Sequence, residues 1–138
     1  FQKAKIRKER KSNSNFFAYY NSYYLAKVKF RDALDLSYQE KVSGNQRNSK
    51  ASSEKLFDDA IKYSLIVIND FENSNLYEDA AYIIARSSYN KNLLSPASYY
   101  FKKITNNDKS PYYYDSNIIG SHNTIWTHNK KHQTINTP

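Results

Sequence analysis

Three segments of this 138-residue chain carry one short register. Ala26, Phe30 and Ala33 recur as Ala60, Ser64 and Val67, and again as Ala97, Phe101 and Ile104. Offsets of four and seven residues return to the same side of an α-helix, so each segment reads as a helix with one buried stripe. The starts, at 26, 60 and 97, are spaced by 34 and 37 residues. A period in the thirties with helical spacing inside each unit marks helical hairpins that bury their apolar faces only by stacking on one another. The expected fold is all-α, with antiparallel hairpins stacked as a short solenoid, and the expected work is holding a partner rather than transforming a substrate.

Local signals divide the chain into five expected helices. Residues 1–12 form a basic leader, either solvated or the frayed end of the next helix. From Phe16 a long amphipathic pattern runs to about Val42, followed by a polar loop from Ser43 to Ser53 that contains Gly44. A broad apolar stripe then spans Glu54 to Phe71, too long for a strand. Asn75 stands three before Glu78, the spacing of a capping box, and opens a helix from Leu76 to Lys91. Ser95 before Pro96 and Ser110 before Pro111 predict two more N-caps, with helices over Pro96–Thr105 and Pro111–Ile119. The repeat domain is therefore expected over 13–119, and residues 120–138 as a polar, disordered tail. Phe1 in place of a starting Met suggests a processed form or a fragment, and no run of apolar residues is long enough to span a membrane.

The formal charge of +8 would favour an anionic partner, but its distribution weakens that inference. Six basic residues against Glu9 crowd the first eleven positions. Lys, Asn, Ile, Tyr and Phe are also the residues of A/T-rich codons, so the 14 tyrosines need no selection for base stacking. Absence of Cys excludes disulfides, thiolate zinc sites and cysteine nucleophiles. With only Gly44 and Gly120, no phosphate-cradling loop can be built.

Other chemistry is thin. The acidic pairs Asp58–Asp59 and Glu78–Asp79 are expected in first helical turns, where they complement the helix dipole rather than act as catalytic carboxylates. His128 and His132 have the spacing of a zinc pair, with His122 nearby, yet no helix is expected there and the solvated-tail reading is preferred. Tyr19, Tyr20, Tyr23 and Tyr24 are read as hairpin packing ahead of base stacking. No catalytic, cofactor or metal residues are expected. The rival to the scaffold is a nucleic-acid module using the leader and these tyrosines.

Ala85, Ala97, Phe101 and Ile104 have the spacing of the tetratricopeptide repeat, and the resemblance extends over about residues 15–119. Ser64 departs from the bulky residue of that pattern, and the repeat-end proline is displaced to Pro111. The resemblance implies a right-handed solenoid whose concave groove takes a protein or peptide. Asp79, Tyr82, Arg86, Tyr89 and Asn90, on one face of their helix, would line that groove. The stretches "NFFAYYNSYYLAKVKFRDAL" and "FDDAIKYSLIVINDFENSNLYEDAAYIIARSSY" are similar to tetratricopeptide-containing lipoproteins of the bacterial outer membrane. That similarity implies an anchor upstream of Phe1 and a place on the periplasmic face of the outer membrane, with the cytoplasm as the alternative.

Overall fold

The computed structural model describes the backbone of residues 2–44 and 46–120, and side chains over 20–44 and 52–120. Five helices account for it: α1 (Gln2–Ser43), α2 (Gln46–Asp70), α3 (Tyr77–Asn90), α4 (Leu94–Thr105) and α5 (113–120). There is no strand among the described residues, so the all-α expectation holds. Helix α1 begins at Gln2, far ahead of the expected Phe16, and takes in the basic leader. The expected tail, apart from Gly120 at the end of α5, lies outside the described residues.

The shared register is the core. Ala26, Ala33, Ala60, Ser64, Val67, Ala97, Phe101 and Ile104 are all buried, and half-buried Phe30 packs against the cluster of Ala26, Ala60 and Ile83. Small residues at these contacts let helix backbones approach closely, while Tyr23, Phe30 and Tyr63 fill the space around them. Glu40 meets Ser53, Phe30 meets Phe57, and Ala26 meets Ala60, so partners on α2 advance as those on α1 retreat. The two helices are antiparallel. This corrects the meaning of the 34-residue step, since Ala26 and Ala60 face each other across a single hairpin. Only the 37-residue step, from α2 to α4, passes over an intervening helix.

Helix α3 is the centre of the fold. It contributes Ile83 to the α1–α2 cluster and Ala85 to a second cluster with Ala97 and Phe101, against which Tyr82, Tyr100 and Ile119 pack. Seven of its 14 residues are buried, among them Ala80, Ile84 and Ser87. A helix buried on both sides needs apolar or small residues around most of its circumference, which the run AlaAla…IleIleAla…SerSer supplies.

The helix ends differ from their sequence signals. The polar stretch expected as a loop to Ser53 is mostly the start of α2; Gln, Arg, Lys and Ala are good helix formers, and polarity does not prevent winding. The turn is tight and centred on Gly44, whose φ of 70° suits a residue without a Cβ. Helix α3 starts after Leu76, with no side-chain cap, so Asn75 and Glu78 form no capping box. Leu93 likewise precedes α4 without a side-chain cap, which places Ser95 and Pro96 inside the first turn, where proline sacrifices no intrahelical hydrogen bond. Ser110 Oγ accepts the Tyr112 N–H at 3.3 Å, closing a turn ahead of α5, which starts at 113 and leaves Ser110 and Pro111 outside it rather than at the expected N-cap and first helical position. Helix α3 ends in a Schellman motif. Leu93 N–H donates to Ser88 O at 2.9 Å, Asn92 N–H to Tyr89 O at 3.1 Å, and Asn92 takes the left-handed φ of 60°.

Candidate functional site

The N-terminal half of α3, the turn into α5 with its first residues, and the middle of α1 converge on one polar and aromatic network. Tyr112 Oη donates to the Asp79 carboxylate, and the Tyr112 ring stacks on Tyr82, with centroids 4.4 Å apart and planes inclined by 17°. Arg86 Nη1 donates to Tyr82 Oη at 2.8 Å, and that hydroxyl in turn donates to Asp115 Oδ2 at 3.3 Å. The guanidinium also lies 5.7 Å from the Tyr82 ring centroid, within cation–π range. Each hydroxyl is fixed as donor or acceptor by its neighbours.

Burial pushes the Tyr112 phenol above its ordinary value, and the hydrogen bond to Asp79 adds to the shift. Tyr23 is raised as well, first by burial and then by the Asp79 charge, which places α1 in the electrostatic surroundings of the network. Tyr112 is therefore held neutral as a donor to the half-buried Asp79 carboxylate, whose charge also disfavours ionisation of Tyr23.

Of the five groove residues expected from sequence, Asp79, Tyr82 and Arg86 belong to this network. Tyr89 is 37% exposed, and Asn90 donates through Nδ2 to Arg86 O at 2.8 Å and lines a separate cleft between α1 and α2. The five do not form one open groove. Asp79 and Tyr82 are engaged with Tyr112 and Asp115, neither of which the sequence reading places at the site, and Tyr23 is expected there only as packing. A signal existed for Tyr112 and Asp115: Asp79 to Tyr112 and Tyr82 to Asp115 are both separations of 33 residues. A constant separation between contacting helices means they run parallel.

The acidic pairs divide. Glu78 and Asp79 lie in the first turn of α3 as expected, with Glu78 accepting from Asn107 Nδ2 at 2.8 Å. Asp58 and Asp59 instead sit well inside α2, because that helix begins at Gln46, and Asp58 pairs with Lys91 at the end of α3. Among the tyrosines expected to pack, Tyr23 does so, whereas Tyr20 and Tyr24 are more than half exposed; the Tyr19 side chain lies outside the described residues. Lys103 is held by α3 and α4 together, 4.7 Å from the Tyr99 ring centroid and donating to Tyr77 Oη at 3.2 Å.

Among the described residues no group of three His, Cys, Asp or Glu could hold a metal ion, and His122, His128 and His132 lie outside them. No helix among the described residues is long and apolar enough to cross a membrane. No protein-family model matches the chain, and comparisons with curated proteins and with solved structures return no match.

Proposed function

We propose that this chain is a non-catalytic scaffold for protein–protein interaction, its hairpins stacked around α3 as a short tetratricopeptide-like solenoid. The stacking is supported by α1 touching both α2 and α3, and by the parallel pairing of α3 with α5 at a constant separation. The observation that carries the interaction role is a set of exposed large side chains one helical turn apart. Tyr20 and Tyr24, Tyr38 and Val42, and Tyr114 and Ile118 form three such pairs, the last 77% and 62% exposed. Tyrosine combines a large apolar body with a hydroxyl tip at small entropic cost, which makes it a common anchor at interfaces. In this reading the Asp79–Tyr112 network stiffens the joint between units, and partner contact is made around it, with Arg86 and Tyr89 at its rim.

The test is co-purification of the tagged chain from its own cells after nuclease treatment, compared with variants in which each exposed pair is changed to alanine. A defined protein partner that is retained by wild type and lost from at least one folded variant supports the scaffold. Nuclease-insensitive partners that ignore all three pairs contradict it.

One observation favours a nucleic-acid reading as the second: the basic leader and exposed Tyr20 and Tyr24 share the single helix α1. Such a module would bind RNA or DNA with steep salt dependence that shrinks when residues 1–12 are removed. Placement at the outer membrane through an upstream lipid anchor is a further proposal, resting on the resemblance alone. A lipidation cysteine encoded upstream of Phe1 would support it, and a start without an export signal would end it.

A further inference from the structure

Away from the Tyr23 network, toward the C-terminal end of α1, a cleft of about 220 Å³ lies between α1 and α2 beside the end of α3. Glu40 lines it and is only 7% exposed. Its Oε2 accepts from Ser53 Oγ at 3.0 Å, while Oε1 is buried and has no hydrogen-bond partner. A carboxylate oxygen withdrawn from water without a donor is expensive, and such a group in a folded protein calls for a missing partner. The surrounding chemistry specifies that partner. Glu54 brings a second carboxylate, and Asn90, one of whose two Nδ2 hydrogens goes to Arg86 O, adds its Oδ1 as an acceptor. Among the described residues the lining is thus rich in acceptors and anionic charge, with exposed Lys41 at its edge as its one cation. Phe57, itself almost fully buried, supplies an apolar wall. Among the described residues no three acidic or His side chains gather here for a metal ion, and the matching occupant is an organic cation with several N–H donors and a short apolar stem.

We propose that this cleft binds a primary alkylammonium group, the ammonium reaching Glu40 Oε1 and the stem lying along Phe57. The group is either a small free amine or the end of a lysine side chain from a partner, and the site stands independently of the scaffold reading. The experiment is an NMR titration of the full chain with n-butylammonium, followed through the backbone amides of Glu40, Ser53 and Phe57. Saturable shifts are expected, and Glu40→Gln, which keeps the shape but removes the charge, should weaken binding about tenfold or more. Lys41→Gln should bind at least as tightly as wild type. Tetramethylammonium carries the same charge without N–H donors and should bind about tenfold more weakly than butylammonium. Binding of an N-acetyl-lysine methylamide more tightly than butylammonium assigns the source to a lysine side chain; the reverse assigns it to a free amine. Absence of saturation, an unchanged affinity in Glu40→Gln, or equal binding of tetramethylammonium would each overturn the proposal and leave the cleft as a place for water.

Discussion

Changing Tyr112 to phenylalanine removes one oxygen and leaves the ring, so it isolates the hydrogen bond to Asp79 from the stack on Tyr82. A hydrogen bond to a charged group is worth roughly 1.5–3 kcal/mol, and the partial burial of this one favours the lower end, about 1.5 kcal/mol. In Tyr112→Ala the stack is lost too, adding about 1 kcal/mol before the lost apolar burial is counted. Chemical denaturation followed by helical circular dichroism should therefore rank wild type above Tyr112→Phe above Tyr112→Ala, with unchanged denaturant slopes for the first two. A double-mutant cycle with Asp79→Ala should return a coupling of about 1 kcal/mol between the two side chains, well above the roughly 0.3–0.5 kcal/mol expected of independent sites. Because α5 is short and depends on this contact, amide exchange should quicken over 113–120 in Tyr112→Phe while α2 stays protected. A Tyr112→Phe protein as stable as wild type, with additive behaviour in the cycle, would refute the claim that the network joins α5 to α3.

Alkaline pH should act at the same place. The Tyr112, Tyr23 and Tyr100 phenols are raised in the folded protein above their ordinary 10.0, chiefly by burial. Above that value the unfolded chain releases protons that the folded chain retains, so their contribution is present in full below about pH 10 and is lost as pH rises through the folded values; a pH series of denaturation curves should show this fall, reduced in Tyr112→Phe. Gly44→Ala should cost about 1–2 kcal/mol in the same assay, since its left-handed backbone strains any side chain although the space is open. Ser64 is fully buried with an unpartnered hydroxyl, so Ser64→Ala should be neutral or stabilising by up to about 1 kcal/mol, whereas restoring a bulky residue with Ser64→Leu should cost about 1–3 kcal/mol by overpacking. At the Schellman turn Asn92→Gly should match or exceed wild type in thermal stability, and Asn92→Ala should fall about 1 kcal/mol below it.

The helices and the core were legible because both depend on a local property, the spacing of small and apolar residues. Ala60, Val67, Ala97, Phe101 and Ile104 are buried where the register puts them. Their relation in space was less legible. A step of 34 residues describes equally well two facing positions in one hairpin and two equivalent positions in successive hairpins, and only the long antiparallel contact of α1 with α2 distinguishes them. Caps failed for a similar reason. Asn75 and Ser95 have the right chemistry, but tertiary packing set the start of α3 and α4 elsewhere, and the energy of one cap is small beside that of a buried helix face. At the candidate site, helical spacing brought Asp79, Tyr82 and Arg86 together correctly. It carried no information that α5 would deliver Tyr112 and Asp115 onto them, nor that Asn90 would turn toward another cleft.

The interaction role is tested most directly by placing a photo-crosslinking residue, one at a time, at Tyr24, Tyr38 and Tyr114 in the full protein in its own cells, with buried Ala85 as the control position. The scaffold account predicts discrete protein adducts from at least one exposed position, resistant to nuclease and absent from the control. Adducts that vanish with nuclease, or none at any of the three positions in a protein that remains folded, would contradict it.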